Sequence, residues 1–399
     1  MKAVGTAPGR LDVLGGIADY SGALVLQMPL SLETRVEIAP RGDGLWRFAS
    51  EEEPGVVQIE DAVLRAIFER ELRAWRGALD ELGVPTWARY VVGCLGLFAR
   101  ATDWWPDGAL SFAVSSAVPR GAGVSSSAAL EVATLRALEA VSGCELPGQT
   151  LAHLAQRAEN EVVGAPCGLM DQLACAYGTP GALLPILCRP DHLGAPISWP
   201  DGVCVVGWPS GVRHSVADSP YATARAAAFM GRAILERYFG PRQFLSEFTP
   251  SHFAGVLPAT VNGAHFLVRI GGVRDPLSRI EPNRTYPVGA ATSFGVEEHF
   301  RCIAARALLT DADAKVHLPL VGELLFQSHA GYGAMGLGTP ETDAMVEAIR
   351  ARGPQNGFYG ARVSGGGAGG TVVVLLEERA LGDLETLRSA FPDTGALLR

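Results

Sequence analysis

A short glycine and serine segment constrains this chain most, because it joins a predicted strand directly to a predicted helix. The strand covers residues 110–118, the helix covers 128–140, and PRGAGVSSS (119–127) runs between them. Backbone N–H groups at a helix N-terminus attract anions, and Gly121 and Gly123 let the backbone close around a phosphate. A serine-rich helix cap is the alternative, but a cap needs one serine rather than three. The segment therefore predicts a phosphate-binding loop, where a serine hydroxyl could also ligate Mg²⁺.

In the N-terminal segment APGRLDVLGGIADY (7–20), Arg10 and Asp19 lie among glycines. We predict a turn here, followed by two strands over residues 22–39. Turns on a rigid scaffold commonly hold binding residues. A solvated turn with surface charges is the alternative that these residues alone leave open.

A third segment, GAPCGLMDQ (164–172), predicts a tight turn that opens a helix over residues 167–177 and places Asp171 just inside it. A base or a metal carboxylate is one interpretation of Asp171. A carboxylate favoured only by the helix dipole is the other. Glu159 and Glu161, on a helix predicted over 151–162, lie just upstream and could supply a metal ligand.

The fourth segment is SGGGAGG (364–370), between strands predicted over 359–363 and 371–376. Its five glycines are costly to order, at up to ~1 kcal/mol each relative to alanine. A flexible hairpin would explain them, but the strong flanking strands favour a backbone that another group approaches closely.

The chain of 399 residues has room for about two domains, and we place the boundary near Pro209. Residues 41–55 suggest a loop or hairpin, and residues 240–296 show no clear pattern. The periodicity predicts a further strand over 203–208 and helices over 62–82, 87–99, 221–238, 296–309, 318–329 and 342–351.

Composition excludes several classes of protein. The net charge of −9 argues against a nucleic-acid-binding face. Lysine occurs only at Lys2 and Lys315, and no Gly-Lys-Ser/Thr is present, which excludes a P-loop and leaves phosphate contacts to arginine or backbone amides. Seven cysteines without Cys-x-x-Cys spacing argue against a zinc site and a disulfide framework. With no signal peptide or membrane-spanning run, we expect a cytoplasmic protein without membrane partners.

In this order, the four segments resemble the galactokinase branch of the GHMP small-molecule kinases over nearly the whole chain. The resemblance implies an α+β, two-domain GHMP kinase fold. Residues 1–208 would form a domain like ribosomal protein S5 domain 2, and residues 209–399 a ferredoxin-like α/β sandwich. It also implies phosphorylation of the anomeric hydroxyl of a sugar, with ATP and Mg²⁺ as cofactors.

The resemblance implies roles for single residues. Asp171 matches the catalytic aspartate at the anomeric hydroxyl, as a base or only to orient it, and Arg10 matches the arginine beside it. Ser127 and Glu159 match the Mg²⁺ ligands, and Trp87 matches an aromatic at the adenine. The residues that match the triphosphate cradle are Gly121, Gly123, Ser125 and Ser126. The residues that match the sugar site are Asp19, Cys167, Gly168 and Tyr221. Arg213 also matches a family position, with a less definite role.

The chain departs from the galactokinase pattern at Gly16 and Ile17, where galactokinases carry Glu-His and use both to reach the C6 hydroxyl. Because an unpaired buried polar group costs ~1–3 kcal/mol, a sugar that lacks C6 should fit better. L-Arabinopyranose is that sugar, since it has galactose stereochemistry without the hydroxymethyl group. Segments 9–28, 118–129 and 213–215 also look more like the kinase domain of L-arabinokinases. We therefore expect L-arabinose to be the substrate.

Four alternatives stay open. Galactose could be the substrate, or Gly16 could simply open the pocket and make a broad sugar kinase. A catalytically inactive sugar sensor is disfavoured by the intact catalytic and Mg²⁺ positions. A mevalonate or homoserine kinase is disfavoured by Asp19-Tyr20 and Cys167-Gly168. The expected partners are a monosaccharide and ATP, with the chain a monomer or a homodimer.

Overall fold

The computed structural model describes residues 2–212, 220–253, 255–391 and 393–399, and it divides into two compact units. Unit 1 comprises the chain up to Arg10, Pro29–Arg120 and Ser125–Gly178, and unit 2 comprises Leu11–Met28, Gly121–Val124 and Thr179–Arg399. The domain boundary between residues 208 and 209 stays a prediction.

Five strands contribute residues to unit 1. They are β1 (Ala3–Leu14) and β2 (Leu24–Pro40), which both continue into unit 2, with β3 (Leu45–Ser50), β4 (Glu53–Glu60) and β5 (Leu110–Ser116). Strands β3 and β4 form an antiparallel hairpin, β3 pairs with β5 in parallel, and β5 pairs with β2 antiparallel. The hairpin interpretation of residues 41–55 is thereby confirmed. Val36, Ile38, Phe48 and Phe112 are buried, so these strands form part of the core.

The N-terminal segment differs from the sequence prediction. The turn expected around Arg10 is wrong, because Arg10 lies within β1, and the two strands expected over 22–39 form the single strand β2. Leu11, Val13 and Leu14 are buried. A strand pairs the backbone N–H and C=O groups of such a buried segment, whereas an irregular turn would leave several without partners.

Six α-helices belong to unit 1. They are α1 (Asp61–Phe68), α2 (Trp75–Glu81), α3 (Thr86–Thr102), α4 (Ser126–Ser142), α5 (Gly148–Arg157) and α6 (Met170–Tyr177), with a 3₁₀ turn at Leu72–Ala74 and a π-helical segment at Ala158–Val163. The single helix predicted over 62–82 is wrong. Arg100 donates from Nε (3.2 Å) and Nη2 (2.5 Å) to the carbonyl of Phe68, where α1 ends, and its guanidinium stacks on Trp75. The apolar residues at helical spacing in 62–82 are therefore divided between two helices, α1 and α2.

Unit 2 contains the remaining elements. They are β6 (Leu184–Leu187), β7 (His192–Leu193), β8 (Val203–Pro209), α7 (Pro220–Phe239), α8 (Pro250–Phe253), β9 (Val261–Asn262), α9 (Gly263–Arg269), β10 (Thr285–Tyr286), α10 (Val288–Leu309), α11 (Leu318–Ala334), α12 (Pro340–Arg352), β11 (Phe358–Val363), β12 (Thr371–Glu377) and α13 (Leu381–Arg388). Short 3₁₀ segments lie at Gly16–Ser21, Leu245–Glu247, Ala314–His317, Pro354–Asn356 and Glu378–Ala380.

Strands β11, β12 and β8 form an antiparallel sheet in that order. Helices α11 and α12 pack against β11, and Trp208, Met345 and Phe358 are among the residues of the buried cluster between sheet and helices. The helix predicted over 296–309 in fact begins at Val288, because Val288, Ala291 and Phe294 are also buried on one side of it. Among the described residues, no helix is both long and apolar enough to span a membrane.

Candidate active site

An arginine–aspartate pair lies at the centre of the unit 1 residues singled out from the sequence. Arg10 donates from Nε (3.0 Å) and Nη2 (2.7 Å) to the same oxygen, Oδ1, of Asp171. The side chain of Arg10 is only 3% exposed, whereas that of Asp171 is 23% exposed. The pair is therefore a buried cation that holds one oxygen of a carboxylate which still reaches solvent.

The turn before α6 places Asp171 in the first turn of that helix. Asn160 stabilises the turn, because it accepts from the N–H of Cys167 (2.8 Å) and donates to the carbonyl of the same residue (3.4 Å). Gly164 has a φ of +85°, and a Cβ there would lie 2.1 Å from Nη1 of Arg76. The positive φ therefore favours glycine at this point, whereas the flexible guanidinium of Arg76 could move to make room for a Cβ.

Two buried glutamates lie beside this pair, joined by one amide. Gln172 donates from Nε2 to Glu159 (2.8 Å) and to Glu131 (3.1 Å). Burial, and then the charge of Asp171, raise the pKa of Glu159 to about 7. Burial, and then the charge of Glu159, raise the pKa of Glu131 well above its ordinary value. Burial likewise raises the pKa of the Cys167 thiol, which therefore stays protonated and is not a nucleophile.

The residues matched to Mg²⁺ ligands have suitable chemistry for that ion. The side chain of Ser127 is hydrogen-bonded to Glu159, so a hydroxyl and a carboxylate oxygen lie together. A cation would relieve the unfavourable burial of negative charge at Glu159. The described residues contain no cluster of three or more metal-ligating His, Cys, Asp or Glu side chains. This fits Mg²⁺, which is usually held by one or two protein ligands together with substrate phosphates.

The loop predicted to bind phosphate, residues 119–127, contains three residues with positive φ. Gly121, Gly123 and Ser125 all have φ values between +58° and +71°, and α4 begins at Ser126. A positive φ strains a serine, and such strain persists where the surrounding structure requires it. The hydroxyl of Ser125, the residue immediately before α4, is buried and makes no hydrogen bond within the described part of the chain, so an unused polar group lies at the start of this helix.

The C-terminal glycine segment, residues 364–370, is closely packed within unit 2 and is not a flexible hairpin. A Cβ at Gly367 would lie 2.7 Å from the ring of Tyr332, and one at Gly370 would lie 3.1 Å from the carbonyl of Ala122. Thr371 also donates to that carbonyl, at 2.7 Å. The expectation of a close approach to this backbone is confirmed, and the groups that approach it belong to unit 2 itself.

Gly16 and Ile17 lie in a buried region of unit 2. Asp12 accepts from the N–H of Gly16 (3.0 Å) and forms an ion pair with Arg362 (2.9 Å), with both side chains 0% exposed. The N–H of Ile17 donates to the hydroxyl of Tyr332 at 3.1 Å. The side chain of Ile17 belongs to an apolar cluster that also contains Tyr332.

Asp19 and Tyr221, the two predicted sugar-hydroxyl contacts, are both buried near Arg225. Tyr20 packs edge-on against Tyr221, with ring centroids 6.2 Å apart, and Arg225 lies over the ring of Tyr20. Arg225 makes two hydrogen bonds to Asp275, at 2.9 and 3.1 Å, and its Nη1 has no hydrogen-bond partner among the residues that the structure describes. Asp275 gives a role to the segment 240–296, which showed no pattern in the sequence.

The structure thus groups most of the predicted residues and leaves others apart. Trp87 is buried in the first turn of α3, and Gly168 is half-buried in the turn before α6. Arg213 lies outside the described residues. Unit 1 brings together Arg10, Ser127, Glu159, Cys167 and Asp171, whereas unit 2 brings together Asp19 with Tyr221 and Gly16 with Ile17.

Sequence reasoning missed Asp12, Glu131, Tyr332 and Arg362. Asp12 and Glu131 are charged residues within apolar runs, LDVL and AALEVA, and this was the available signal. A charge in a buried segment needs a partner. Tyr332 and Arg362 carried no local signal, since both lie in ordinary helix or strand sequence.

Two family models match the chain. The GHMP kinases N terminal domain matches residues 89–179, and the GHMP kinases C terminal model matches residues 314–393. An L-arabinokinase of Arabidopsis thaliana is 32% identical over 93% of this chain, and a galactokinase of Chloroflexus aggregans is 33% identical over 94%. The chain spans 42% of the length of the L-arabinokinase and 84% of that of the galactokinase.

Solved structures show the same fold. Lactococcus lactis galactokinase complexed with galactose superposes with a TM-score of 0.79 at 19% identity, covering 100% of this chain and 93% of that one. Methanococcus jannaschii mevalonate kinase gives a TM-score of 0.64 at 14% identity, covering 100% and 98%. The curated relatives are sugar kinases, which are phosphotransferases with an alcohol acceptor. The chain therefore belongs to the GHMP kinases, in the group that contains galactokinases and L-arabinokinase.

Proposed function

We propose that this chain is an ATP-dependent sugar 1-kinase that converts L-arabinose to L-arabinose 1-phosphate. The observation that carries the reaction is the Arg10–Asp171 pair, a partly exposed carboxylate held by a buried arginine. Phosphoryl transfer needs a positioned hydroxyl and neutralised charge rather than covalent chemistry by the protein. The pair suits the first of these requirements.

Asp171 orients the anomeric hydroxyl by accepting its hydrogen bond. Both bonds from Arg10 go to Oδ1, so that Oδ2 faces the incoming hydroxyl in this proposal. A carboxylate within hydrogen-bond reach is also placed to take up the proton as the phosphoryl group transfers. The buried guanidinium keeps the carboxylate in one orientation throughout.

The N-terminus of α4 binds the phosphates of ATP in this proposal. Its first N–H groups and the helix dipole attract anions, and the unused hydroxyl of Ser125 supplies a donor. Ser127 and Glu159 would hold Mg²⁺, which supplies neutralisation of the phosphate charge when bound. We assign Trp87 to the adenine.

The choice of L-arabinose depends on Gly16 and Ile17. Gly16 has no side chain, and the side chain of Ile17 is apolar and lies in an apolar cluster. Neither residue therefore offers a side-chain hydrogen bond to a C6 hydroxyl. We assign Asp19 and Tyr221 to the remaining sugar hydroxyls, and we also assign Cys167 and Gly168 to sugar binding. Galactose is the second candidate, favoured by the identity of 33% to a galactokinase over 84% of its length.

A substrate panel tests the proposal. ADP release is measured with L-arabinose, D-galactose and D-galacturonate, and we expect kcat/KM to be highest for L-arabinose. A clear preference for D-galactose contradicts our interpretation of Gly16 and Ile17. Release of no ADP with any of the three sugars would favour an inactive sensor.

Asp171→Asn tests the catalytic assignment separately. We expect kcat to fall by at least ~100-fold, which is the scale of a positioned base. Glu161→Gln is the matched control, because Glu161 is an exposed acid nearby that forms an ion pair with Arg157 at the surface. Near-normal turnover by Asp171→Asn would contradict the assignment of Asp171 as the catalytic aspartate.

A further inference from the structure

We propose that Tyr332 is a specificity-determining residue, because its hydroxyl occupies the space beside Gly16 that an additional sugar carbon or a larger side chain would need. This deepens the proposed function and rests on it, since the C6 edge of the sugar is taken to face position 16. Tyr332 lies in α11, 316 residues along the chain from Gly16.

The space beside Gly16 is fully taken. A Cβ at this position would lie 2.2 Å from the hydroxyl oxygen of Tyr332, 3.0 Å from its Cε2 and 2.8 Å from Nη2 of Arg362. Real Cβ atoms almost never approach other heavy atoms within 3.0 Å. Gly16 also has a φ of +54°, which disfavours other residues. No side chain fits at position 16 while Tyr332 keeps its place.

Tyr332 has little freedom to move. Its hydroxyl accepts from the N–H of Ile17 (3.1 Å) and donates to the carbonyl of Gly365 (2.5 Å). Its ring packs edge-on against Phe294, at 5.2 Å between centroids, and the guanidinium of Arg362 lies over it. Rotation of the phenol would break both hydrogen bonds in a buried region, where unpaired groups are costly. The side chain of Tyr332 is therefore held in place and does not move aside to make room beside Gly16.

This arrangement separates our proposal from one based on Gly16 alone. If Gly16 merely opened the pocket, exchanging it for glutamate would restore the galactokinase pattern. In this structure that exchange places Cβ onto the phenol oxygen, so Gly16→Glu by itself should damage the fold and yield no gain with galactose. Gly16 and Tyr332 are a coupled pair, and a change of specificity has to include Tyr332.

A double-mutant cycle tests the coupling without any sugar. Gly16→Ala is made in the wild-type, Tyr332→Phe and Tyr332→Ala backgrounds, and Tm is measured. We expect the Tm loss from Gly16→Ala to be at least halved once the hydroxyl or the whole ring is removed. Gly15→Ala is the matched control, because its Cβ would clash with Val25 at 2.5 Å and not with Tyr332, so its Tm loss should be equal in all backgrounds. Equal losses for Gly16→Ala across the three backgrounds overturn the proposal.

Substrate selection supplies the second readout, as the ratio of kcat/KM for D-galactose to that for L-arabinose. We expect the ratio to rise at least tenfold in Tyr332→Ala and by a smaller factor in Tyr332→Phe. Phe294→Leu, which disturbs the same cluster without touching Gly16, should leave the ratio unchanged. An unchanged ratio in both Tyr332 variants overturns the specificity role. A wild-type protein that prefers galactose contradicts the proposed function instead, while the Tm cycle still decides whether Gly16 and Tyr332 are coupled.

Discussion

Replacing Asp12 with alanine should be among the most destabilising single changes in unit 2. Oδ1 of Asp12 accepts from the N–H of Gly16 (3.0 Å) and from Gln27 (2.8 Å), and Oδ2 accepts from Arg362 (2.9 Å) and from the N–H of Gly365 (3.2 Å). Asp12→Ala removes all four acceptor contacts at once. It also leaves the guanidinium of Arg362 buried without its carboxylate.

The magnitude follows from burial. Both side chains of the Asp12–Arg362 pair are 0% exposed, and removing one partner of such a pair costs about 3–5 kcal/mol. The three neutral donors add to this loss, although water that enters the new cavity offsets part of it. Since whole proteins are stable by only about 5–15 kcal/mol, this single change removes a large fraction of the free energy of unfolding.

Urea unfolding followed by tryptophan fluorescence measures the loss. Asp43→Ala is the matched control, because Asp43 pairs with Arg41 at the surface, where solvent screening leaves an ion pair little effect on stability. The double variant Asp12→Leu with Arg362→Met should be less destabilised than Asp12→Ala, since no buried charge is then left unpaired. Unfolding of Asp12→Ala at the same urea concentration as the wild type would refute the reasoning, as would a double variant less stable than the single one.

Three further results are expected. The pKa of Glu159 is raised from 4.5 to about 7, so the folded protein binds this proton more tightly than the unfolded chain does. The free energy of unfolding without Mg²⁺ should therefore fall by up to ~3 kcal/mol as the pH rises from 4.5 to 7. Glu159→Gln should flatten the dependence of Tm on pH, and an unchanged slope would contradict the assignment. Ser127→Ala should raise the Mg²⁺ concentration for half-maximal rate by roughly 10-fold, as loss of a ligand-orienting group does; a Mg²⁺ titration checks this, and an unaltered midpoint argues against the site. Asp275→Ala should lower stability by about 3 kcal/mol, because Arg225 loses a buried bidentate partner, and should raise the sugar KM more than it lowers kcat; steady-state kinetics with normal KM would rule out a link to the sugar site.

Much of the fold was predictable because it follows local rules. The strand before residue 119 and the helix after residue 127 were recognised from apolar spacing, and Gly121 and Gly123, singled out between them, both have positive φ. Asp171 was placed correctly in the first turn of its helix. In each case the residues that determine the conformation are close neighbours in the chain.

The errors came where distant residues decide a local conformation. Arg10 was expected in a turn, but the burial of its neighbours in the core makes the segment a strand. The helix predicted over 62–82 is interrupted where Arg100, some thirty residues later, takes the carbonyl of Phe68. These long-range contacts produce no periodic pattern and no fixed residue spacing that could be recognised in the sequence.

The sequence by itself therefore indicated the family, the candidate phosphate loop and the candidate catalytic aspartate, because helix starts and glycine-rich turns are properties of a few consecutive residues. The expectation that Arg10 lies beside Asp171, 161 residues away, came from the family resemblance, and the structure confirms it. Only the tertiary structure decided that Asp12 pairs with Arg362, 350 residues away. It also decided the meaning of Gly16, which the sequence shows as a missing side chain and the structure shows as space filled by Tyr332. Burial and hydrogen bonding act between whichever groups folding brings into contact, and they leave no local trace in the chain.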